Sequence, residues 1–281
     1  MAGDAMNGFP PTVRLLATQV KFQLIQFSRI PVALFFTVLL PLIMLVMFNA
    51  LFGGVDVDTQ YGEIELGQFY VGALAAFTVV SGTFTNLANM VPYRRQDGIM
   101  KRWRGTPLPR WIYLAGFIGS GIIVAFAAMV LMLAIGAVAY GTEIDVAKLP
   151  AALASFAIGA GAFSALGVAV AGLVRNPEAA PAAANAIVLP LGFISDVFIA
   201  GTDRPRWLDL IADVFPLRPF VNSVQAAFSP GVEAPAFQWD KLAVVAAWGV
   251  VGAVLAARTF RWEPFAETGP SRRAPRAPAT S

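Results

Sequence analysis

The segment Val91–Trp111 reads VPYRRQDGIMKRWRGTPLPRW, and its charge sets the topology of everything around it. Arg94, Arg95, Lys101, Arg102, Arg104 and Arg110 stand in it against a single acid, Asp97. On either side lies an apolar run long enough to cross a bilayer. Lys and Arg resist translocation, so a basic loop between two spans belongs on the cytoplasmic side. The interior of the segment suits a short helix. Asp97 can accept backbone N–H groups as an N-cap, Ile99, Met100 and Trp103 can turn inward, and Pro107 and Pro109 stop it. Two readings are open at this point. The segment is either a helix on the membrane face offered to a partner protein, or a positive-inside anchor that touches only lipid headgroups.

Composition supports the membrane setting. Of 281 residues 57% are hydrophobic and only 13% charged. A soluble domain carries about a quarter charged residues. Repeated apolar runs of about 20 residues make this an all-α polytopic membrane protein. Cysteine and histidine are both absent, which removes disulfides, thiol chemistry, the commonest general base and the commonest metal ligand. The net charge of +3 resides mainly in loops and tail, and points to anionic lipid headgroups rather than nucleic acid. The polar N-terminus, with no A-x-A site after the first apolar run, argues against a cleaved signal peptide.

Upstream of the basic segment, a second span is expected over 68–91. Before it comes a loop with Asp56, Asp58, Glu63 and Glu65. A first span is expected over 30–52, with Pro31 at its start and Pro41 kinking its middle. Residues 10–28 place Val13, Leu16, Val20, Leu24 and Phe27 on one stripe, the period of an amphipathic helix lying in the interface.

Downstream, a third span over 111–140 carries Trp111, Tyr113 and Tyr140 as an aromatic belt. A fourth, over 150–174, places Gly161 four residues from Ala165 and Gly167 four from Ala171, a spacing that lets helices approach closely. Gly and Ala also abound throughout the chain, which explains the spacing without any contact. A fifth, over 182–200, is bent at Pro190 and holds Asp196 near its far end. Trp207–Phe228 then shows helical spacing in two short pieces separated by Pro216 and Pro219. Neither piece can cross a core about 30 Å thick, so a re-entrant pair is expected on the outer side. A sixth span over 241–260 follows. The Pro- and Arg-rich tail, 263–281, reads as a disordered cytoplasmic segment. The whole of 1–281 is thus expected to be a single transmembrane domain, with its six-span bundle in 30–260. Placing both termini inside puts fifteen of the twenty Lys and Arg on the inner segments.

No G-x-x-x-x-G-K-[ST] loop is present, and no zinc or calcium ligand spacing. Asp196 is the exception in spans otherwise nearly free of ionisable groups. An intramembrane carboxylate is functional by default, yet at a span end it can equally be solvated or cap the re-entrant segment. The chain reads as a conduit or scaffold with no catalytic site. Gradient-driven carriers show mid-membrane charges and repeated halves, and neither stands out. The basic segment gains weight as a docking site for an energy-supplying subunit.

The run RRQDGIMKRWRGTPLPRWIYLAG resembles the cytoplasmic signature of type-2 ABC exporter permeases, the daunorubicin-resistance-type drug and lipid exporters. There an R-R-E-x-G-x-x-K-x-L-R-x-T-P-L-like segment leads into the third span. Arg94, Arg95, Gly98, Lys101, Arg104, Thr106, Pro107 and Leu108 match. Gln96 stands where an acid is common, and Trp103 where Leu is common. Further matches run from Arg175 to Asn185, from Leu189 to Ser195 and from Pro216 to Phe220, while Asp196 departs from the expected Ser-Gly.

The resemblance implies a six-span subunit of a bacterial plasma membrane exporter with both termini cytoplasmic. Arg94, Arg95, Asp97, Gly98, Lys101, Arg102, Arg104 and Pro107 would form a coupling helix seated in a cleft of a separate ATP-binding subunit. ATP and Mg would sit on that partner, with no cofactor in this chain. A second permease, identical or paralogous, would complete the transporter, meeting the first through spans one and five. The re-entrant pair would close the outer end of the path. The substrate would be hydrophobic or amphipathic (a drug, lipid or glycolipid), and drug efflux would confer antibiotic resistance. Phe35, Phe36, Phe77, Phe84, Phe193 and Phe198, with Asp196, are the candidate path residues, although aromatic side chains in spans also face lipid. A gradient-driven drug carrier working without an ATPase, and a non-transporting scaffold, are the alternatives.

Overall fold

A computed structural model describes residues 11–99, 102, 109–142, 144–201 and 205–260. Among these, α1 (Thr12–Ser28) precedes a first span, α2 (Pro31–Phe52), and a hairpin of β1 (Asp56–Thr59) and β2 (Gly62–Glu65). The second span, α3 (Leu66–Gln96), leads to the basic segment. Spans α4 (Arg110–Tyr140), α5 (Leu149–Leu173) and α6 (Ala180–Ile194) follow. Two short helices, α7 (Arg206–Val214) and α8 (Leu217–Phe228), precede the last span, α9 (Trp239–Thr259). Six helices are long and apolar enough to cross a membrane. The expected spans, α1 and the broken pair are therefore present. The fifth span closes earlier than expected, at Ile194, because the chain turns through Asp196 in the left-handed region.

α3 is the axis of the bundle. Its most apolar stretch is 94% buried, against 17% for α2 and for α9. A helix apolar on every side is one surrounded by protein or lipid, and here it is protein. The helix accommodates Pro41 through a widened turn. Phe35–Leu39 is a π-helical turn in which the Leu40 N–H donates to the Phe35 carbonyl, and the regular helix resumes at Leu40. The proline ring excludes the carbonyl four residues back, and one extra residue per turn accommodates it. A second π turn, Ser81–Thr85 in α3, touches the first.

Close helix approach is real, but not at every glycine the spacing singled out. α5 and α9 make the most extensive helix pair, where Gly249 and Gly252 admit Ala162, Ala165 and Leu166. A Cβ on Gly167 would lie 2.7 Å from the Phe84 carbonyl oxygen, and one on Gly159 would lie 2.1 Å from the Phe220 ring. A Cβ on Gly161 would meet nothing within 4 Å. Gly159→Val is therefore expected to destabilise the bundle by about 1–3 kcal/mol through overpacking, and Gly161→Val by under about 1 kcal/mol. Thermal unfolding of the two variants in lipid nanodiscs checks the contrast.

α1 lies against α4, with its Gln19 and Val20 over Gly116 and Gly119. The inward residues are Gln19, Gln23 and Phe27, whereas Val13 is exposed. The apolar stripe is thus only partly the protein-facing side. Tyr113, expected in the interface belt, is buried in the bundle instead, while Trp111 is exposed. The hairpin replaces what the sequence suggested was a loop. Val57 pairs with Ile64 in register and both turn inward, while the acids on either side face out. That two-residue alternation is the strand signal in the sequence, confined to two short strands. α8 inserts among α3, α5 and α9 with Phe220 and Val224 fully buried.

Candidate functional site

The bundle offers two candidate sites, one at each end. At the basic end, α3 runs past the membrane-length stretch to Gln96. There the Asp97 N–H donates to the Tyr93 carbonyl at 2.9 Å, and Gly98 takes a φ of 68°. Glycine enters the left-handed region without a Cβ penalty and so closes the helix. Asp97 therefore ends the second span and does not open the next helix as its N-cap. The Arg102 N–H donates to the Gly98 carbonyl at 3.0 Å, beginning a new helical turn directly after the break.

Asp97 and Arg102 are exposed there, and Gly98 is half-buried. Lys101, Arg104 and Pro107 lie outside the described residues. Arg95 turns the other way. It is 2% exposed, and its guanidinium donates from Nη1 to the Ala171 carbonyl at 3.4 Å and from Nη2 to the Val174 carbonyl. These carbonyls close the C-terminal end of α5, where helix acceptors lack partners and the dipole favours a cation. Residue 95 continues the buried face of Leu87, Ala88 and Val91, so its direction follows from the helical repeat. Its place is inside the bundle and not on a docking surface. Arg94 is half-buried with its guanidinium carbon 5.1 Å from the centre of the Phe117 ring. Gln23 and Phe27 of α1 line the same small cleft, a junction the sequence did not reveal.

At the opposite, hairpin end lies a cavity of about 150 Å³, with Tyr61, Phe69, Asp196, Arg218, Asn222 and Gln225 in its wall. Asp196 stands just past α6 with a φ of 57°. Its Oδ2 accepts from Arg218 Nε at 2.8 Å. Arg218 Nη1 also reaches Asp209 Oδ1 at 2.9 Å, the Asp209 carbonyl at 3.3 Å and Asp213 Oδ1 at 3.3 Å. One guanidinium therefore ties the end of α6 to both short helices. This gives Asp196 a partner that its position in the sequence did not indicate.

The hairpin covers the cavity. The Tyr61 hydroxyl donates to the Asn222 carbonyl at 2.9 Å and accepts from Lys241 Nζ at 2.9 Å. Burial, reinforced by the nearby Asp240 and Asp196 carboxylates, pushes the Tyr61 hydroxyl well above its usual pKa, so it stays a neutral donor. Lys241 also donates to Gln60 Oε1 at 2.8 Å, and Lys148 Nζ donates to the Ser229 carbonyl at 2.9 Å where α8 ends.

The aromatic candidates divide into groups. Phe198 stands edge-on to Phe77 at 5.2 Å and lies 5.3 Å from Phe193. Phe84 is buried against Gly167. Phe35 and Phe36 lie on the exterior of α2, and Phe193 is likewise 53% exposed. These six do not share one lining within a single copy of the chain.

Comparison with known proteins agrees with these features. The chain is 31% identical over 198 residues to the daunorubicin resistance ABC transporter permease protein DrrB1 of Streptomyces coeruleorubidus. The aligned part covers 68% of this chain and 66%, just under two thirds, of that relative. The profile of the ABC-2 type transporter family matches residues 14–229, from α1 through the end of α8. With six membrane-length helices, the basic break after the second and the inserted short pair all inside or beside the matched region, the chain belongs to the ABC-2 type transporter family.

Proposed function

We propose that this chain is the membrane-spanning permease subunit of an ATP-driven exporter for a hydrophobic or amphipathic substrate. ATP hydrolysis would take place on a separate ATP-binding subunit, and a second permease copy or paralogue would complete the assembly. The basic end then faces the cytoplasm of a bacterial plasma membrane, with both termini on that side, as the distribution of Lys and Arg favours. The hairpin, α7 and α8 face outward.

The observation that carries this reading is the position of the break at Asp97–Gly98. It sits on the end of α3, the most enclosed helix, which packs against α2, α4, α5 and α8. A push delivered there reaches most of the bundle through one rigid element. Packed interiors switch between discrete arrangements and do not deform continuously, so such a push can exchange one helix arrangement for another. Arg95 adds a second route, since its side chain hands displacement of α3 to the end of α5. The DrrB1 relative is named for daunorubicin resistance, which supports a drug as the cargo.

The test is charge reversal in the basic segment. Arg102→Glu with Arg104→Glu is expected to lower ATPase activity of the assembled complex by about tenfold, the effect of reversing charges across a steered interface. Membrane insertion and unfolding temperature should be unchanged. Wild-type transport and ATPase rates in that double variant would remove the docking assignment.

A further inference from the structure

We propose that the cavity at the hairpin end is a binding site for a polyhydroxylated six-membered ring, a sugar or cyclitol unit carried on the amphipathic substrate. Size is the first argument. A cavity near 150 Å³ accommodates one six-membered ring, as benzene in an engineered apolar cavity of that volume illustrates. This cavity differs in its wall, which combines the aromatic side chains of Tyr61 and Phe69 with the planar amides of Asn222 and Gln225. Aromatic faces suit the C–H side of such a ring, and amides suit its hydroxyls, each of which donates and accepts.

The second argument is unmet hydrogen bonding. Asn222 is 2% exposed and Gln225 6%. Asn222 Oδ1 and Gln225 Nε2 have no hydrogen-bond partner among the described residues. A buried polar atom left in this state carries a desolvation cost, which a ligand offsets when the amide turns toward the cavity that its residue lines. One of these atoms is an acceptor and the other a donor. An ammonium group or a carboxylate answers only one of the two, whereas neighbouring hydroxyls answer both.

The charges argue the same way. Arg218 lies between the carboxylates of Asp196 and Asp209, so the charged groups in the wall already face one another. With two carboxylates against one guanidinium in the wall, an anionic ligand is disfavoured. Phe198, two residues after Asp196, meets Phe77 and Phe193 and supplies an apolar strip for the rest of an amphipathic molecule.

The inference rests on the exporter reading for its role, as an outer subsite on the exit path, but not for its test. That test uses the full chain in phosphatidylcholine nanodiscs, with no ATP-binding subunit and no nucleotide. Saturation-transfer NMR is run with methyl β-glucopyranoside, myo-inositol and, for comparison, tetramethylammonium. Ring protons of the first two are expected to receive saturation. Gln225→Leu or Asn222→Leu should reduce it by about fivefold, the factor one hydrogen bond of ordinary net strength represents. Thermal unfolding shows whether these variants keep the fold. Gln60→Trp, on the exposed rim of the hairpin and off α8, should block the cavity even if both α8 variants unfold.

Three outcomes overturn the assignment. They are no transfer to either ring in the wild type, transfer unchanged by Gln60→Trp, or stronger transfer to tetramethylammonium than to the rings. A chain that binds the ring but drives no ATP-dependent transport would instead count against the exporter reading alone.

Discussion

Replacing Arg218 with methionine is expected to destabilise the hairpin end by about 2–3 kcal/mol and to abolish substrate-stimulated transport. Breaking a buried ion pair by removing one partner costs about 3–5 kcal/mol, because it strands the other charge. The figure is lower here because the Arg218 side chain is 16% exposed and that of Asp196 10%. Asp213, whose side chain is 62% exposed, adds little. Asp196 and Asp209 would both lose the guanidinium, which would loosen the end of α6 from the two short helices. Asp196→Asn in the methionine background should recover part of the loss, since it removes the more buried of the carboxylates that lose the guanidinium. A double-mutant cycle on these two positions, read by thermal unfolding in nanodiscs, is expected to give a coupling of about 1–3 kcal/mol. Zero coupling, or an Arg218→Met protein that unfolds at the wild-type temperature, would mean that the guanidinium does not hold this end together.

The second large effect is expected at Arg95. Arg95→Met removes a buried cation that donates to two carbonyls at the end of α5. Hydrogen bonds to charged groups contribute about 1.5–3 kcal/mol each at most, so a total loss of about 3 kcal/mol is expected. Arg95→Lys should recover less than half, because a single ammonium cannot span two carbonyls in the way the planar guanidinium does. The diagnostic is the contrast with Arg102, only seven residues along and exposed. Variants at 95 should lower the unfolding temperature and the coupled ATPase together, whereas Arg102→Glu should lower the ATPase alone. Measuring both quantities on the three variants distinguishes a core tie from a docking contact. Were Arg95→Met as stable as the wild type, the α3–α5 tie would contribute nothing to the fold.

These two positions also show where sequence reading stops. Arg94, Arg95 and Arg102 look alike as members of one basic run. Helical repeat from Leu87 through Val91 turns Arg95 inward, but the carbonyls it meets belong to residues 171 and 174, in another span. Asp196 similarly stands out as an isolated acid, while its partner lies 22 residues further on, beyond a helix break. The hairpin was visible only as four acids in a loop, although Val57 and Ile64 alternate with them.

What the sequence determined by itself is the set of helices. The bilayer dictates how long an apolar run must be to cross it, and prolines and charges mark where each run stops. Six spans, a short broken pair and a basic break after the second span follow from that. Which side of each helix meets protein was decided only in the tertiary structure. Gly159 and Gly161 differ by two residues in one helix, yet a side-chain carbon on the first would strike Phe220 and on the second would meet open space. Lipid tails and a protein interior are equally apolar, so hydropathy does not distinguish the two faces, and only packing does.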